Sequence, residues 1–214
     1  GYGPSETSSA TCVNTILNNK HYTCGKTLPC TKYMVYDENA KTLNHTGIGE
    51  IYIGGDSLFN GYFRAPKANR QCIYYDNNGE RYLKSGDIMQ IEEDGYVTFL
   101  SRKKRMIKVS GYAIFPSEIE QTASNVSGIK KSSAIGVGDE RTGHKIILFY
   151  ETGNDSKTLQ NDLKNYLTKM LEPKAVPSEF IPLSKIPLTQ YNKIDFIALN
   201  ELYMEHKSDL KVFV

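Results

Sequence analysis

A basic run, Ser101-Arg102-Lys103-Lys104-Arg105, separates two stretches of different periodicity. Before it, short β-type runs alternate with turns: Lys32–Tyr36, Gly49–Ile53, Arg81–Leu83, Ile88–Ile91 and Tyr96–Leu100. Asp76-Asn77-Asn78-Gly79 and Glu93-Asp94-Gly95 are rich in residues that accept positive φ, so they predict hairpin turns. After the run, strands and helices mix. Met106–Val109 and Tyr112–Phe115 flank Ser110-Gly111 as two strands. Pro116-Ser117-Glu118 opens a helix, with Ser117 as N-cap and Glu120 three residues later, as in a capping box. Ser132–Val137, Lys145–Glu151 and Phe180–Leu183 predict strands. Ser156–Met170 predicts the longest helix, because Leu159, Leu163, Tyr166, Leu167 and Met170 recur at helical spacing. Ile194–His206 predicts a last one. The chain is expected to be α+β overall, a β-rich module followed by an α+β module, with the basic run as linker or solvated charge.

Bulk composition excludes several function classes. The 214 residues carry a formal net charge of only +2, which gives no electrostatic case for nucleic acid or a membrane surface as partner. Lys103, Lys104 and Arg105 form one short cluster without a reading helix or stacking sheet, poor evidence for nucleic-acid binding. No apolar run approaches the ~20 residues of a membrane-spanning helix. Cys12, Cys24, Cys30 and Cys72 show no CxxC spacing. They are expected to be reduced thiols of a cytoplasmic protein. His21, His45, His144 and His206 have no metal-ligand spacing. The chain opens without Met inside a turn-rich motif and is expected to be part of a longer protein.

Five short motifs carry chemistry. Tyr2-Gly3-Pro4-Ser5-Glu6 is a turn followed by an acid. Gly49-Glu50-Ile51-Tyr52-Ile53-Gly54-Gly55 is a strand ending in a glycine pair. Tyr82-Leu83-Lys84-Ser85-Gly86-Asp87 ends in a carboxylate that suits either a sugar's vicinal hydroxyls or its own backbone. Lys108-Val109-Ser110-Gly111-Tyr112 and Pro187-Leu188-Thr189-Gln190-Tyr191-Asn192-Lys193-Ile194-Asp195 complete the set. Gly136-Val137-Gly138-Asp139 lacks the third glycine and following helix of a nucleotide loop and is set aside.

In this order and at these separations, the motifs resemble those of the adenylate-forming (AMP-binding) superfamily of acyl-CoA synthetases, peptide-synthetase adenylation domains and luciferases. The resemblance runs from Tyr2 to about Leu199. It implies a β-rich, barrel-like subdomain over residues 1–101, ending the family's large domain, and a small α+β lid over 102–214. It implies an ATP-dependent carboxylate–thiol ligase that forms an acyl-adenylate and then a thioester. The cofactors would be ATP and Mg²⁺. The partners would be a carboxylic acid (fatty, aryl or amino acid) and CoA or a carrier-protein phosphopantetheine.

By the same resemblance Tyr2 would stack on adenine, Ser5 contact phosphate, Asp87 bind the ribose hydroxyls and Arg102 contact the nucleotide. Glu6 would hold Mg²⁺, a hard cation that takes oxygen ligands. Lys193 would be catalytic in adenylation, offsetting repulsion between carboxylate and α-phosphate. Lys108 would serve the second half-reaction, Lys104 would be the hinge, and Gly111 would let the backbone approach the thiol arm. Ser5 stands for the usual Thr, Asn192 for Gly, Phe196 for Arg and Ser101 for Gly or Asp. The family's phosphate loop lies upstream of the Tyr2 motif, so this stretch alone is expected to be inactive. The competing expectation is a non-catalytic nucleotide-binding or protein-docking remnant.

Overall fold

Tyr33, Val35, Ile51, Ile53, Leu83, Met89 and Val97 come from strands of the first half and form one buried cluster, the core face of a sheet. The structure, a computed structural model, describes residues 1–38, 40–153 and 157–212, with side chains described to Lys207. The chain forms two compact units, Gly1–Lys104 and Arg105–Val214. The division follows β8 and falls inside a 3₁₀ turn, Lys103–Arg105, within the basic run where the texture changes and three residues past the 101/102 bounds that the resemblance implies.

Among the described residues of the first unit, eight strands form one sheet: β1 (Cys12–Val13), β2 (Gly25–Thr27), β3 (Thr31–Asp37), β4 (Thr42–Asn44), β5 (Gly47–Gly55), β6 (Ile73–Tyr75), β7 (Arg81–Ile91) and β8 (Tyr96–Arg102). The order is β1-β2-β8-β7-β5-β3-β4, antiparallel throughout, with β6 on the first residues of β7. A short helix, α1 (Pro66–Cys72), begins with proline at its first turn, where a missing N–H costs nothing. The barrel-like closure expected here does not occur, and the sheet is open. Its edge strands offer two and three residues, too little ladder to pair with each other. Ile51 and Ile53 face the core, while Tyr52 between them joins Tyr36 on the other face, ring on ring at 4.7 Å and 2°.

The second unit contains β9 (Ile107–Val109), β10 (Tyr112–Ile114), α2 (Pro116–Ala123), β11 (Lys131–Asp139), β12 (Gly143–Glu151), α3 (Lys157–Met170), β13 (Glu179–Leu183) and α4 (Phe196–Val212). β11 and β12 pair antiparallel, and α3 carries the chain to β13, which pairs parallel to β12. Strand alternation divides β12 between two cores. Ile146 and Leu148 pack with Ile119, Leu163 and Leu167 of α2 and α3, and Ile147 and Phe149 pack with Leu199 and Tyr203 of α4. Each fully buried aliphatic side chain contributes roughly 1.5–3 kcal/mol. No helix among the described residues is long and apolar enough to cross a membrane.

Several expectations change in detail. Arg81–Leu83 and Ile88–Ile91 belong to one strand, interrupted by a bulge. Pro116 takes the first position of α2, so Phe115 rather than Ser117 is the N-cap. Glu120, freed from a capping box, instead accepts from Ala134 N–H at 2.9 Å and pairs with Arg105 at 2.5 Å. Ser156 lies outside the described residues. Met170, placed on the apolar stripe of α3, is 55% exposed.

Gly136 shows how tightly β9 lies on the sheet. A Cβ there would stand 2.8 Å from Ile107 Cγ2, a buried branch with nowhere to go. Gly136→Ala is expected to destabilise the second unit by about 1–3 kcal/mol through overpacking. Denaturant unfolding checks this, and an unchanged midpoint would show that β9 slides freely.

Candidate functional site

The bulge in β7 creates the site. Glu50 of β5 pairs with Ile88, and Tyr52 with Lys84, so Ser85, Gly86 and Asp87 stand against Ile51 alone. Extra residues bend a strand and re-aim its side chains. Gly86 takes φ +70°, accessible to glycine at little cost. The bulge is fastened by three hydrogen bonds. Ser85 Oγ donates to the Ile51 carbonyl at 2.6 Å, Asp87 N–H donates to Ser85 Oγ at 3.1 Å, and Gly86 N–H donates to Glu50 Oε1 at 3.2 Å. Glu50 is buried and also pairs with Lys103 at 2.9 Å.

Asp87 is thereby driven to the interior, with no side-chain exposure. Its Oδ2 accepts from the Tyr2 hydroxyl. Its Oδ1 lies 2.7 Å from Arg102 Nη1 but takes no properly directed hydrogen bond. Burial raises the Asp87 pKa above the ordinary carboxylate value, while the Tyr2 hydroxyl and the Arg102 charge pull it down. Tyr2, bridged to Cys12 across the sheet edge and set edge-on to Tyr33 at 6.4 Å, has its phenol pKa raised by burial and by Asp87. Arg102 reaches Asp87 because the two residues face each other across β7 and β8.

On the outer side of Arg102 lies a cavity of about 390 Å³, lined in part by Ser5, Glu6, Lys84, Ser85, Cys72 and Arg102. Ser5 and Glu6 sit in a 3₁₀ turn, Ser5–Thr7, where Glu6 Oε1 accepts from the Tyr62 hydroxyl at 2.5 Å. Two cations, Lys84 and Arg102, and the Ser5 hydroxyl suit a phosphate-bearing ligand, whereas the Ser85 hydroxyl proton is already given to Ile51. Glu6 offers a carboxylate to a hard cation that phosphate oxygens would also hold. Among the described residues no three His, Cys, Asp or Glu side chains converge on a metal position, so Glu6 fits Mg²⁺ only as a lone protein ligand. The first unit thus brings together Tyr2, Ser5, Glu6, Asp87 and Arg102. Lys84 and Tyr62 were missed. Lys84 lies inside a quoted motif, but only the bulge reveals that it faces the cavity, and Tyr62 is distant in sequence from Glu6.

Lys104 is exposed within the 3₁₀ turn. In the second unit, Lys108 is exposed on β9, and Ser110 and Gly111 form the β9–β10 turn with φ +49° and +84°. Two positive values make this a type I′ turn. A Cβ on Gly111 would meet nothing within 4 Å, so its backbone angle, not crowding within this chain, explains the glycine. Lys193 is exposed in a separate turn closed by Thr189 N–H donating to the Lys193 carbonyl at 2.7 Å. Asn192 there takes φ +59°, as a glycine would.

The family model described as AMP-binding enzyme matches residues 1–63, and that for the AMP-binding enzyme C-terminal domain matches residues 118–193. Bacitracin synthase 1 of Bacillus licheniformis is 34% identical over 187 residues, spanning 86% of this chain and 4% of that protein. The 2-succinylbenzoate–CoA ligase of Staphylococcus epidermidis is 31% identical over 195 residues, spanning 90% and 39%. The ATP-bound RpMatB-BxBclM chimera B1 superposes with TM-score 0.75 at 26% identity, covering 85% of this chain and 36% of the other. The anthranilate CoA ligase AuaEII, solved with anthranoyl-AMP, shares the fold at TM-score 0.80 and 21% identity, covering 94% and 38%. The chain belongs to the AMP-binding, adenylate-forming enzyme family, and it spans well under half the length of these relatives.

The Tyr2–Asp87 contact has a measurable consequence. Because the folded pKa of Asp87 is raised, the native state binds its proton more readily than the unfolded chain does. This carboxylate therefore opposes folding above its folded pKa, and the penalty fades as pH falls towards the unfolded value. Tyr2→Phe removes a hydrogen bond that favours the charged form. The Asp87 carboxyl ¹³C titration is expected to move further up in pH in that variant. A midpoint that stays put or falls would mean that the hydroxyl does not stabilise the carboxylate.

Proposed function

We propose that this chain is the nucleotide-handling and lid portion of an ATP-dependent carboxylate–thiol ligase. In the first step a carboxylate oxygen attacks the α-phosphorus of ATP, pyrophosphate leaves and an acyl-adenylate forms. In the second a thiol, of CoA or of a carrier-protein phosphopantetheine, attacks the acyl carbonyl. AMP leaves with the bonding electrons and a thioester remains. The observation that carries this reading is the cavity where Ser5, Glu6, Lys84 and Arg102 meet, with the undirected Oδ1 of Asp87 behind Arg102. An acceptor left without a directed donor is what two ribose hydroxyls would satisfy, once Arg102 turns toward phosphate. Mg²⁺ would neutralise phosphate charge beside Glu6. The relatives, a bacitracin synthase and a 2-succinylbenzoate–CoA ligase, favour a carboxylic-acid substrate and a pantetheine thiol. Four free thiols agree with a cytoplasmic setting.

Lys193 supplies the charge for adenylation. Its exposure leaves the ammonium available, and the Asn192 turn presents it. Lys193→Ala in the full-length enzyme is expected to lower ATP–pyrophosphate exchange about a hundredfold or more while sparing thioester formation from preformed acyl-adenylate. Unchanged exchange would remove Lys193 from the chemistry.

The hinge assignment rests on divided anchorage. Lys103 is tied to Glu38 and Glu50 of the first unit, and Arg105 to Glu120 and, at 4.3 Å, to the Phe196 ring of the second. Lys104 between them is the residue whose torsions can change without breaking either set. Lys104→Pro, which locks φ near −65°, is expected to slow thioester formation at least about tenfold more than adenylation. Equal loss in both steps, or none, would return Lys104 to the role of a solvated linker residue.

A further inference from the structure

The Gly136-Val137-Gly138-Asp139 segment, set aside as a nucleotide loop, is built into the support of the Gly111 turn. Gly136 supplies the gap that lets Ile107 of β9 lie against β11. Beyond it, Asp139 ends β11 and organises the turn into β12. Its Oδ1 accepts from Arg141 N–H at 3.1 Å, Thr142 N–H at 2.9 Å and the Thr142 hydroxyl at 2.8 Å. That hydroxyl has one proton, and the His144 carbonyl at 2.9 Å is its alternative acceptor. Gly143 follows at φ +79°.

The turn so fixed touches the neighbouring hairpin in two places. The Thr142 carbonyl accepts from Ser110 N–H at 2.7 Å, and His144 Nδ1 lies 3.2 Å from the Lys108 carbonyl. Ser110 directly precedes Gly111, and Lys108 lies three residues before it on β9. The hairpin's other flank is held by Lys174, whose ammonium lies 3.2 Å from the centre of the Tyr112 ring. Every contact here lies within the second unit. Since Asp139 takes three hydrogen bonds from two residues, its ordinary surface role would be a simple Asx turn. What goes beyond that role is the direct bond from the ordered turn to Ser110.

We propose that Asp139, acting through Thr142, is a positioning residue for the thiol half-reaction, holding the Ser110-Gly111 turn where the pantetheine arm approaches. This rests on the ligase reading above and on the assignment of Gly111 to the thiol path. Asp139 touches no reacting atom, and its effect is carried by the Thr142 carbonyl. The depressed pKa of Asp139, caused first by the Thr142 hydroxyl, keeps it an acceptor throughout the neutral range.

The test uses the full-length enzyme with free pantetheine as thiol probe. Asp139→Ala is expected to lower kcat/KM for pantetheine about tenfold while ATP–pyrophosphate exchange stays within about twofold, because a misplaced loop harms only the step that uses it. Asp139→Asn keeps an acceptor oxygen and is expected to recover most of the loss. Thr142→Val keeps the backbone carbonyl but loses the hydroxyl tie, and should show a weaker form of the same split. It carries the test if Asp139→Ala fails to fold. Equal loss in both half-reactions, no loss in either, or no recovery with Asp139→Asn overturns the positioning role. A wild-type enzyme that exchanges pyrophosphate but never forms a thioester overturns the ligase reading instead.

Discussion

A carboxylate with no exposed surface has to be matched by its neighbours, and Asp87 organises the first unit around that requirement. The Tyr2 hydroxyl comes from the chain's beginning and the Arg102 guanidinium from the end of β8. The bulge that delivers Asp87 is in turn held by Glu50, and Glu50 by Lys103. One network therefore joins the first motif, the glycine–glutamate strand, the bulge and the last residues of the unit. Buried ion pairs are weak evidence for stability, since desolvation consumes most of their attraction. The value of this one is positional: it sets the back wall of a cavity whose front carries Ser5, Glu6 and Lys84.

The same network explains why the basic run is not merely solvated. Arg102, Lys103 and Arg105 each have a carboxylate partner, and those partners belong to different elements: the β7 bulge, β5 and α2. Lys104 is exposed, and among the described residues no carboxylate pairs with it. The hinge proposed at Lys104 rests on this contrast, since a torsional change there would leave the three flanking ion pairs intact.

Much of this was legible in the sequence, for local reasons. Turn residues at Asn78-Gly79 and Asp94-Gly95, alternation in β3 and β5, and helical spacing of Leu159, Leu163 and Leu167 all act within a few residues. What stayed hidden depends on contacts distant along the chain. β1, β2, β4 and β6 are two or three residues long and owe their pairing to neighbours rather than to propensity. The bulge at Ser85–Asp87 looks like a strand end in sequence, because Gly86 interrupts the pattern. Its real partner, Ile51, lies more than thirty residues earlier. Lys84 and Tyr62 enter the site only once that bulge and the Ser5–Thr7 turn are both in place. Glu120 was assigned to a cap because spacing suggested it, yet Pro116 set the helix start and released it to Arg105.

Two departures from the family pattern, at positions 192 and 196, fall in the second unit, and each has a definite place in its structure. Asn192 replaces a glycine and adopts the same left-handed backbone, which asparagine tolerates better than other side chains. Phe196 stands where the resemblance implies a common arginine, a departure that removes no charge the chemistry requires. The Arg105 guanidinium lies 4.3 Å from the Phe196 ring centre, a cation–π contact that ties the first residue of the unit to the start of α4. Glu120 completes the clamp at 2.5 Å. Arg105 follows Lys104, so these contacts fasten the chain directly after the residue proposed as hinge.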